Sequence, residues 1–435
     1  MQVFQALSAG NDYCYLLESA EGPRKLAQYS FIGFSPTKVV AAKRHKYYEY
    51  SAEGNEVSIE TKDPVRHLRE NLNKTTTYSG FRFVGGLVGY FAYDTIRYLE
   101  SLPELVDDDL NLPDFQFGKF DDGIVFDHLT GLAYYYWYDD NRIHEIKRHL
   151  SLNTNAPNLS VSSRKLNLSK LEFESMVRKA KEYIKAGDIF QVVLSKRYEF
   201  DINGSLIHFY KRLRRINPSP YMYFLKMGDT SLVGSSPEML GRVEGRRIET
   251  FPIAGTRPMG RNASETEQLA TSLIQDTKER AEHVMLVDLA RNDMGKICEY
   301  GSVDVHDFMT VQRYSHVQHL VSSVAGRLSS GKDAIDAIKA IFPAGTVSGA
   351  PKKRAMEIIE ELEPFKRGPY AGALGYFSYN GNADFAITIR TLLAREKKAY
   401  LQVGAGIVSD SNPRLEWEET EHKAEALIRA LKMEG

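Results

Sequence analysis

The chain has 435 residues, 43% hydrophobic and 26% charged, a balance that excludes wholesale disorder and, at roughly 150 residues per domain, points to two or three domains. Lys and Arg number 56 against 57 Asp and Glu; the net charge of -1 gives no composition-level case for nucleic acid or an anionic membrane as partner. Two cysteines, Cys14 and Cys298, exclude a disulfide framework and a cysteine-rich zinc site.

The N-terminus lacks a basic start followed by an apolar core, so no signal peptide is expected and the chain reads as cytoplasmic. Short β-type runs follow at residues 38–40, 47–50, 83–93 and 132–138, separated by Gly and Asp/Asn turns. The most apolar of these, 84–93, is about half the length needed to cross a bilayer. Residues 151–163 are polar and include Pro157, which predicts a linker between a domain over 1–160 and another over 165–435. Ser169 and Glu172 then form a capping box, Phe173, Met176, Val177, Ala180, Tyr183 and Ile184 recur at helical spacing with Leu171, and Gly187 supplies the stop. Residues 189–200 read as a strand. Strands and helices go on mixing without regular βαβ alternation, which predicts an α+β fold with antiparallel sheets.

Gly326 to Lys332 has the spacing of a phosphate loop, but Asp333 stands where Ser or Thr should bind magnesium, so an ordinary polar loop is expected. Two other segments carry chemistry. Glu279 and Glu282 share one helix face by their spacing of three, as do Glu416 and Glu419. Each pair alone also reads as a solvated surface; converging, they would make an oxygen-rich site for Mg²⁺. The small-residue run 343–351 reads either as a bare turn or as backbone that a substrate approaches closely. Residues 402–408, with Gly404, Ala405 and Gly406, read as a strand with exposed amides or as a β-bulge. Arg390 follows a strand and could pair with a ligand carboxylate or a structural one. His319 reads as structural or as a site residue.

Taken together, ordered motifs from about residue 170 to 425 resemble the chorismate-utilising enzyme family. They include Gly187-Asp-Ile-Phe-Gln-Val-Val-Leu-Ser195, Gly234-Ser-Ser-Pro-Glu-Met239 and Thr250-Phe-Pro-Ile-Ala-Gly-Thr-Arg-Pro258. The segments 278–293, 313–321 and 342–354, Gly368-Pro-Tyr-Ala-Gly-Ala-Leu-Gly-Tyr376 and the Gly404–Gly406 strand complete them. The N-terminal part is similar more loosely, through Leu16-Leu-Glu-Ser-Ala20, Tyr29-Ser-Phe-Ile-Gly33 and Gly85-Gly-Leu-Val-Gly-Tyr90. The resemblance implies a two-domain β-sandwich clad by helices. It implies Mg²⁺ on Glu282 and Glu419, with Glu279 and Glu416 nearby, holding the ring carboxylate of chorismate. Arg390, Tyr370 and the amides around Gly404, Ala405 and Gly406 should hold the enolpyruvyl carboxylate, with Gly255, Thr256 and Lys423 in contact. His422 departs from the Asn often found there.

Two positions discriminate within the family. Members that add water use a lysine base where this chain has Gln191, and a neutral amide cannot take that proton. Aminodeoxychorismate-forming members commonly place a lysine nucleophile where Ala254 stands. The resemblance therefore implies direct attack of ammonia at C2, giving anthranilate and pyruvate. Glu238 should protonate the leaving C4 hydroxyl, with His319 and Thr346 lining the site. Neither cysteine lies in a nucleophile elbow, so a separate glutamine amidotransferase subunit should deliver ammonia in a hetero-oligomer. Two segments resemble the family's tryptophan feedback site: Glu18 and Ser19 in one, Asn217, Pro220, Met222 and Tyr223 in the other, with Tyr223 where Phe is frequent. Formation of aminodeoxychorismate and a non-catalytic tryptophan-sensing subunit are the competing expectations.

Overall fold

The computed structural model describes residues 1–19, 28–51, 54–72, 74, 76, 78, 80–152, 155–314 and 317–432. Ala20, Ser315 and His316 of the motifs, and residues 153 and 154 of the expected linker, lie outside these.

Two large antiparallel sheets face each other. The first runs in the order Ser160–Leu166, Gln191–Asn203, Lys398–Ile407, Thr391–Arg395, Thr230–Ser236, Tyr221–Met227, Tyr13–Glu18, Tyr29–Phe34, Asp122–Asp127 and Leu132–Trp137. The second centres on Val317–Arg327, Arg247–Thr250, Met239–Glu244, Ala383–Ile387, Ala373–Ser378, Gly86–Phe91 and Phe115–Phe120. Their strands alternate as a pleat requires. Along Tyr13–Glu18, Tyr15 joins Phe31, Tyr90, Tyr223 and Tyr376 in the core between the sheets. Cys14 and Leu16 point the other way, to an outer core with the Leu206–Ile216 and Pro413–Lys432 helices. The Thr277–Gly295 and Ala334–Ile341 helices cover the opposite outer face. This is the helix-clad antiparallel sandwich the sequence led us to expect.

Residues on either side of 151–163 share both sheets. Tyr13–Glu18 lies between Tyr221–Met227 and Tyr29–Phe34, and Gly86–Phe91 between Ala373–Ser378 and Phe115–Phe120. The expected linker ends in an edge strand, Ser160–Leu166, paired with Gln191–Asn203. Both faces of that strand are largely exposed, so it has no apolar alternation for a sequence reading to find. The Lys170–Ala186 helix has the expected capping box, and Gly187 ends it at φ 84°. Leu171, counted in its apolar period, is 74% exposed and faces solvent. No helix among the described residues is long and apolar enough to cross a membrane.

Candidate active site

Glu238 follows the Thr230–Ser236 strand at the point where the chain crosses from one sheet to the other. Its carbonyl accepts the Ile387 amide at 3.0 Å, and Ser236 Oγ donates to the Ile387 carbonyl at 2.7 Å. The backbone is therefore held from both sides while the carboxyl is buried. Burial raises its pKa to about 7. Thr346 Oγ1 is buried without a fully formed hydrogen bond, yet it stands close enough to the carboxyl to hold that pKa down. The charges of Arg390 and Lys423 act in the same direction. Beside Glu238 and Thr346 lies a pocket of about 420 Å³ walled by Phe251, Pro252, Leu286 and Ile341. Burial of the carboxyl at this point of the fold is the physical source of the raised pKa.

Arg390 follows the Ala383–Ile387 strand in a turn where its φ is 49°. A left-handed, non-glycine residue is strained, and such strain collects at functional sites. Burial lowers its pKa, and Glu238 opposes that. No described side chain hydrogen-bonds its guanidinium. A half-buried cation with no hydrogen-bonding side chain among the described residues is suited to an anionic ligand.

His319 pairs across the strands with Thr256 at a register shift between Ala254 and Thr256. Its Nδ1 lies 2.9 Å from the Gly255 carbonyl and 3.1 Å from Thr256 Oγ1. A carbonyl only accepts, so the proton sits on Nδ1 and Nε2 carries the lone pair. Burial lowers the ring's pKa, the Gly255 bond raises it and Arg390 lowers it further. Gly255 has φ 62°, and a Cβ there would lie 3.0 Å from Glu279 Oε2, so the Ile253–Pro258 strand, which pairs with the histidine's strand, touches the acidic helix at this point.

In the first sheet, Gly404 and Gly406 pair with Ser195 and Val193, and Ala405 with Leu194. A Cβ on Gly404 would meet Tyr370 Oη at 2.6 Å; one on Gly406 would meet Gln191 Nε2 at 2.5 Å. The two glycines thus admit the tyrosine and the glutamine side chains. Gln191 is buried and its Oε1 has no hydrogen-bond partner among the described residues. Lys423 Nζ donates to the Gly404 carbonyl at 3.0 Å and pairs with Glu419 at 2.6 Å, tying this strand to the acidic residues.

The four glutamates come from two helices, Thr277–Gly295 and Pro413–Lys432. Glu282 has a raised pKa, first from burial, with Lys278 opposing and Glu279, Glu419 and Glu416 adding repulsion. Glu416 is raised by burial, restrained by the Ser411 hydroxyl and pushed up by Glu419. The two pairs therefore feel each other's charge, as their convergence requires. As they stand, no three acidic, histidine or cysteine side chains among the described residues are grouped closely enough to grip an ion. The donor chemistry, four carboxylates in mutual repulsion, fits a hard divalent cation. Arg257 was not singled out from sequence, although it lies in a quoted motif. It bonds Asp276 at 2.9 Å and Glu279 at 3.3 Å, holding the start of the acidic helix.

A second pocket, of about 490 Å³, opens between the sheets. Ser19, Pro220 and Tyr223 line it with Tyr29, Phe31 and Tyr376. Ser19 Oγ donates to the Pro220 carbonyl at 2.5 Å. Glu18 and Met222 touch its rim, but they pair on the sheet's other face. There the Glu18 carboxylate accepts from Tyr210 at 2.6 Å and Arg214 at 2.8 Å. Tyr223 Oη bonds Thr391 at 2.5 Å. Asn217 is not in the lining; it caps the Leu206–Ile216 helix and contacts Ser235. Arg82 and Asp384, both absent from the sequence reading, also line the pocket. Their chain positions are remote, and only the pairing of the sheets brings them here.

The sequence model of the chorismate binding enzymes matches residues 12–429. Anthranilate synthase component 1 of Methanothermobacter marburgensis is 49% identical over 434 residues, covering 100% of this chain and 93% of that protein. Aminodeoxychorismate synthase component 1 of Bacillus subtilis is 41% identical, covering 100% and 94%. The crystal structure of anthranilate synthase component I from Streptococcus pneumoniae superposes with a TM-score of 0.83 at 39% identity, covering 94% of this chain and 93% of that one.

Proposed function

Since the chain belongs to the chorismate binding enzyme family, we propose that it converts chorismate and ammonia to anthranilate, pyruvate and water. Ammonia bonds to C2 as the C4 hydroxyl departs; loss of the C2 proton and of pyruvate then gives the aromatic ring. The observation that carries this reading is Glu238: a buried carboxyl with pKa about 7 can hold a proton near neutrality and give it to the departing hydroxyl. Arg390, cationic and with no side-chain hydrogen bond among the described residues, suits a substrate carboxylate, assisted by Tyr370 and by the amides around Gly404, Ala405 and Gly406. Gln191 has no basic atom to activate water, and ammonia needs none. The neutral His319, with its Nε2 lone pair, is positioned to relay a proton.

Glu282 and Glu419 would hold Mg²⁺ directly, with Glu279 and Glu416 close by. When bound, the ion neutralises and orients the ring carboxylate. Lys423 joins the two ends of the site through Glu419 and Gly404.

Ammonia would come from a glutamine amidotransferase subunit. The relatives' designation as component 1 supports such a partner and a hetero-oligomer. The Bacillus subtilis relative favours aminodeoxychorismate as a second reading. Ala254 argues against it, because alanine cannot form the covalent adduct a lysine would. Incubating the purified chain with chorismate, ammonium and Mg²⁺, with products followed by fluorescence and chromatography, separates these readings. Anthranilate supports the first and aminodeoxychorismate the second; no turnover leaves only a non-catalytic sensor. Ala254→Lys should lower anthranilate formation about tenfold or more by crowding the ring next to His319. An unchanged rate would remove Ala254 from the substrate face.

The pocket between the sheets suits tryptophan as feedback inhibitor. Tyr29, Phe31 and Tyr376 line it and offer faces for an indole. It shares no residue with the proposed catalytic set, so inhibition would be allosteric. Ser19→Phe should fill the pocket and weaken tryptophan inhibition at least about tenfold while most activity remains. Equal sensitivity in the variant would take Ser19 out of the site, and an insensitive unmodified chain would reject the regulation.

A further inference from the structure

The Glu363–Arg367 ion pair is almost fully buried, with side-chain exposures of 3% and 1%. A buried pair is weak evidence for stability, since an apolar pair of like volume would hold a core as well. Its contacts show a different use. Arg367 Nη1 donates to the Val347 carbonyl at 2.8 Å, and Nη2 donates to the Val193 carbonyl at 2.7 Å. The remaining bonds, at 2.9 and 2.6 Å, go to Glu363. Glu363 Oε1 in turn accepts the Ser195 amide and Ser195 Oγ, both at 2.8 Å. Ser195 Oγ also accepts Gln402 Nε2 at 2.8 Å.

Each of these contacts ends beside a site residue. Val347 follows Thr346, which faces Glu238. Val193 and Ser195 are the register partners of Gly406 and Gly404. The guanidinium carbon lies 5.6 Å from the centre of the Tyr370 ring. One ion pair thus joins the turn beside the acid, the strand opposite the glycines and the tyrosine over Gly404.

We propose that Glu363 and Arg367 are positioning residues, a clamp that sets the distance between the acid end and the carboxylate-binding end of the site. This rests on the functional reading above. Neither residue touches substrate; both act through Thr346, Tyr370 and the Gly404–Gly406 backbone. Arg367→Lys keeps a cation for Glu363 but cannot reach both carbonyls. Ser195→Ala leaves the ion pair whole and removes the hydroxyl that links Glu363 to Gln402.

Both variants are assayed with chorismate and ammonium beside the unchanged chain, with thermal unfolding recorded. The KM for chorismate should rise about tenfold in Arg367→Lys and a few-fold in Ser195→Ala, with the KM for ammonium unmoved. The alkaline limb of kcat/KM should move up in pH in Arg367→Lys, because Thr346 no longer holds the Glu238 pKa down. A defect in folding alone would lower the active fraction without moving either constant. If Arg367→Lys does not fold, Ser195→Ala carries the test. Wild-type constants in every folded variant overturn the clamp alone. Absence of turnover in the unchanged chain overturns the functional reading and the clamp's role with it.

Discussion

Glu238→Gln lowers kcat by roughly two to four orders of magnitude, the usual contribution of a positioned acid. The amide keeps the shape of the side chain but carries no acidic proton for the departing C4 hydroxyl. The pH dependence tests this reading separately. An acid must be protonated to act, so kcat/KM of the unmodified enzyme, at constant free ammonia, falls as pH rises through about 7. Bound substrate carboxylates favour the neutral carboxyl further, placing the kcat limb higher than the kcat/KM limb. The residual rate of the variant shows no such limb. The substitution should change stability in the opposite sense from activity. The folded pKa of Glu238 lies above its unfolded value of 4.5, so its favourable contribution is complete below 4.5 and is lost as pH rises through about 7. Glutamine never ionises. The variant should therefore be more stable than the parent above pH 7, by at most about 3 kcal/mol, with the gap closing towards acid pH. A variant of undiminished kcat, or a parent with no alkaline limb near 7, would remove Glu238 from the role.

Glu282→Gln and Glu419→Gln should each reduce turnover to background, since each deletes an anionic oxygen from the set that would hold Mg²⁺. A readout free of activity is thermal unfolding against magnesium concentration. Binding to the folded state alone stabilises by RT ln(1 + [L]/Kd), about 2.7 kcal/mol at a hundredfold excess over Kd. The unmodified chain should show that rise, and the variants should lack it over the same range. Without magnesium, Glu282→Gln should be at least as stable as the parent. Its carboxyl is half-buried and repelled by Glu279, Glu419 and Glu416, so neutralising it relieves a cost. Glu419→Gln gives up its 2.6 Å contact with Lys423 and gains less. Full activity of either variant in magnesium-limited buffer, or an unchanged magnesium response, would sink the assignment.

Local physics made much of this chain legible before any coordinates. The Lys170–Ala186 helix announces both ends, because a capping box and a left-handed glycine are satisfied within a few residues. The glutamate pairs are legible for the same reason: a spacing of three sets a shared face whatever else surrounds the helix. Arg390 was legible from its place after a strand, whereas Gln191, Ala254 and Glu238 were singled out through the family resemblance, after which what an amide, a methyl and a carboxyl can do with a proton separated the possible reactions.

What tertiary structure alone decided lies between segments distant in the chain. The pKa of Glu238 comes from its burial where the fold brings it beside a pocket lined by Phe251, Leu286 and Ile341, and no spacing near residue 238 encodes that burial. The polar Ser160–Leu166 strand exists because Gln191–Asn203 offers it an edge, not because its own residues alternate. Glu18 and Tyr223, close in the expected ligand site, extend from opposite faces of one sheet, because the antiparallel register pairs Glu18 with Met222 and Leu17 with Tyr223. Arg367 looks like any arginine before a glycine until the fold carries Val193 and Val347 to its two arms. Local bonding chose the residue types that can do the chemistry. Their pairing across two interleaved sheets, which no short window contains, set the burial and distances on which that chemistry depends.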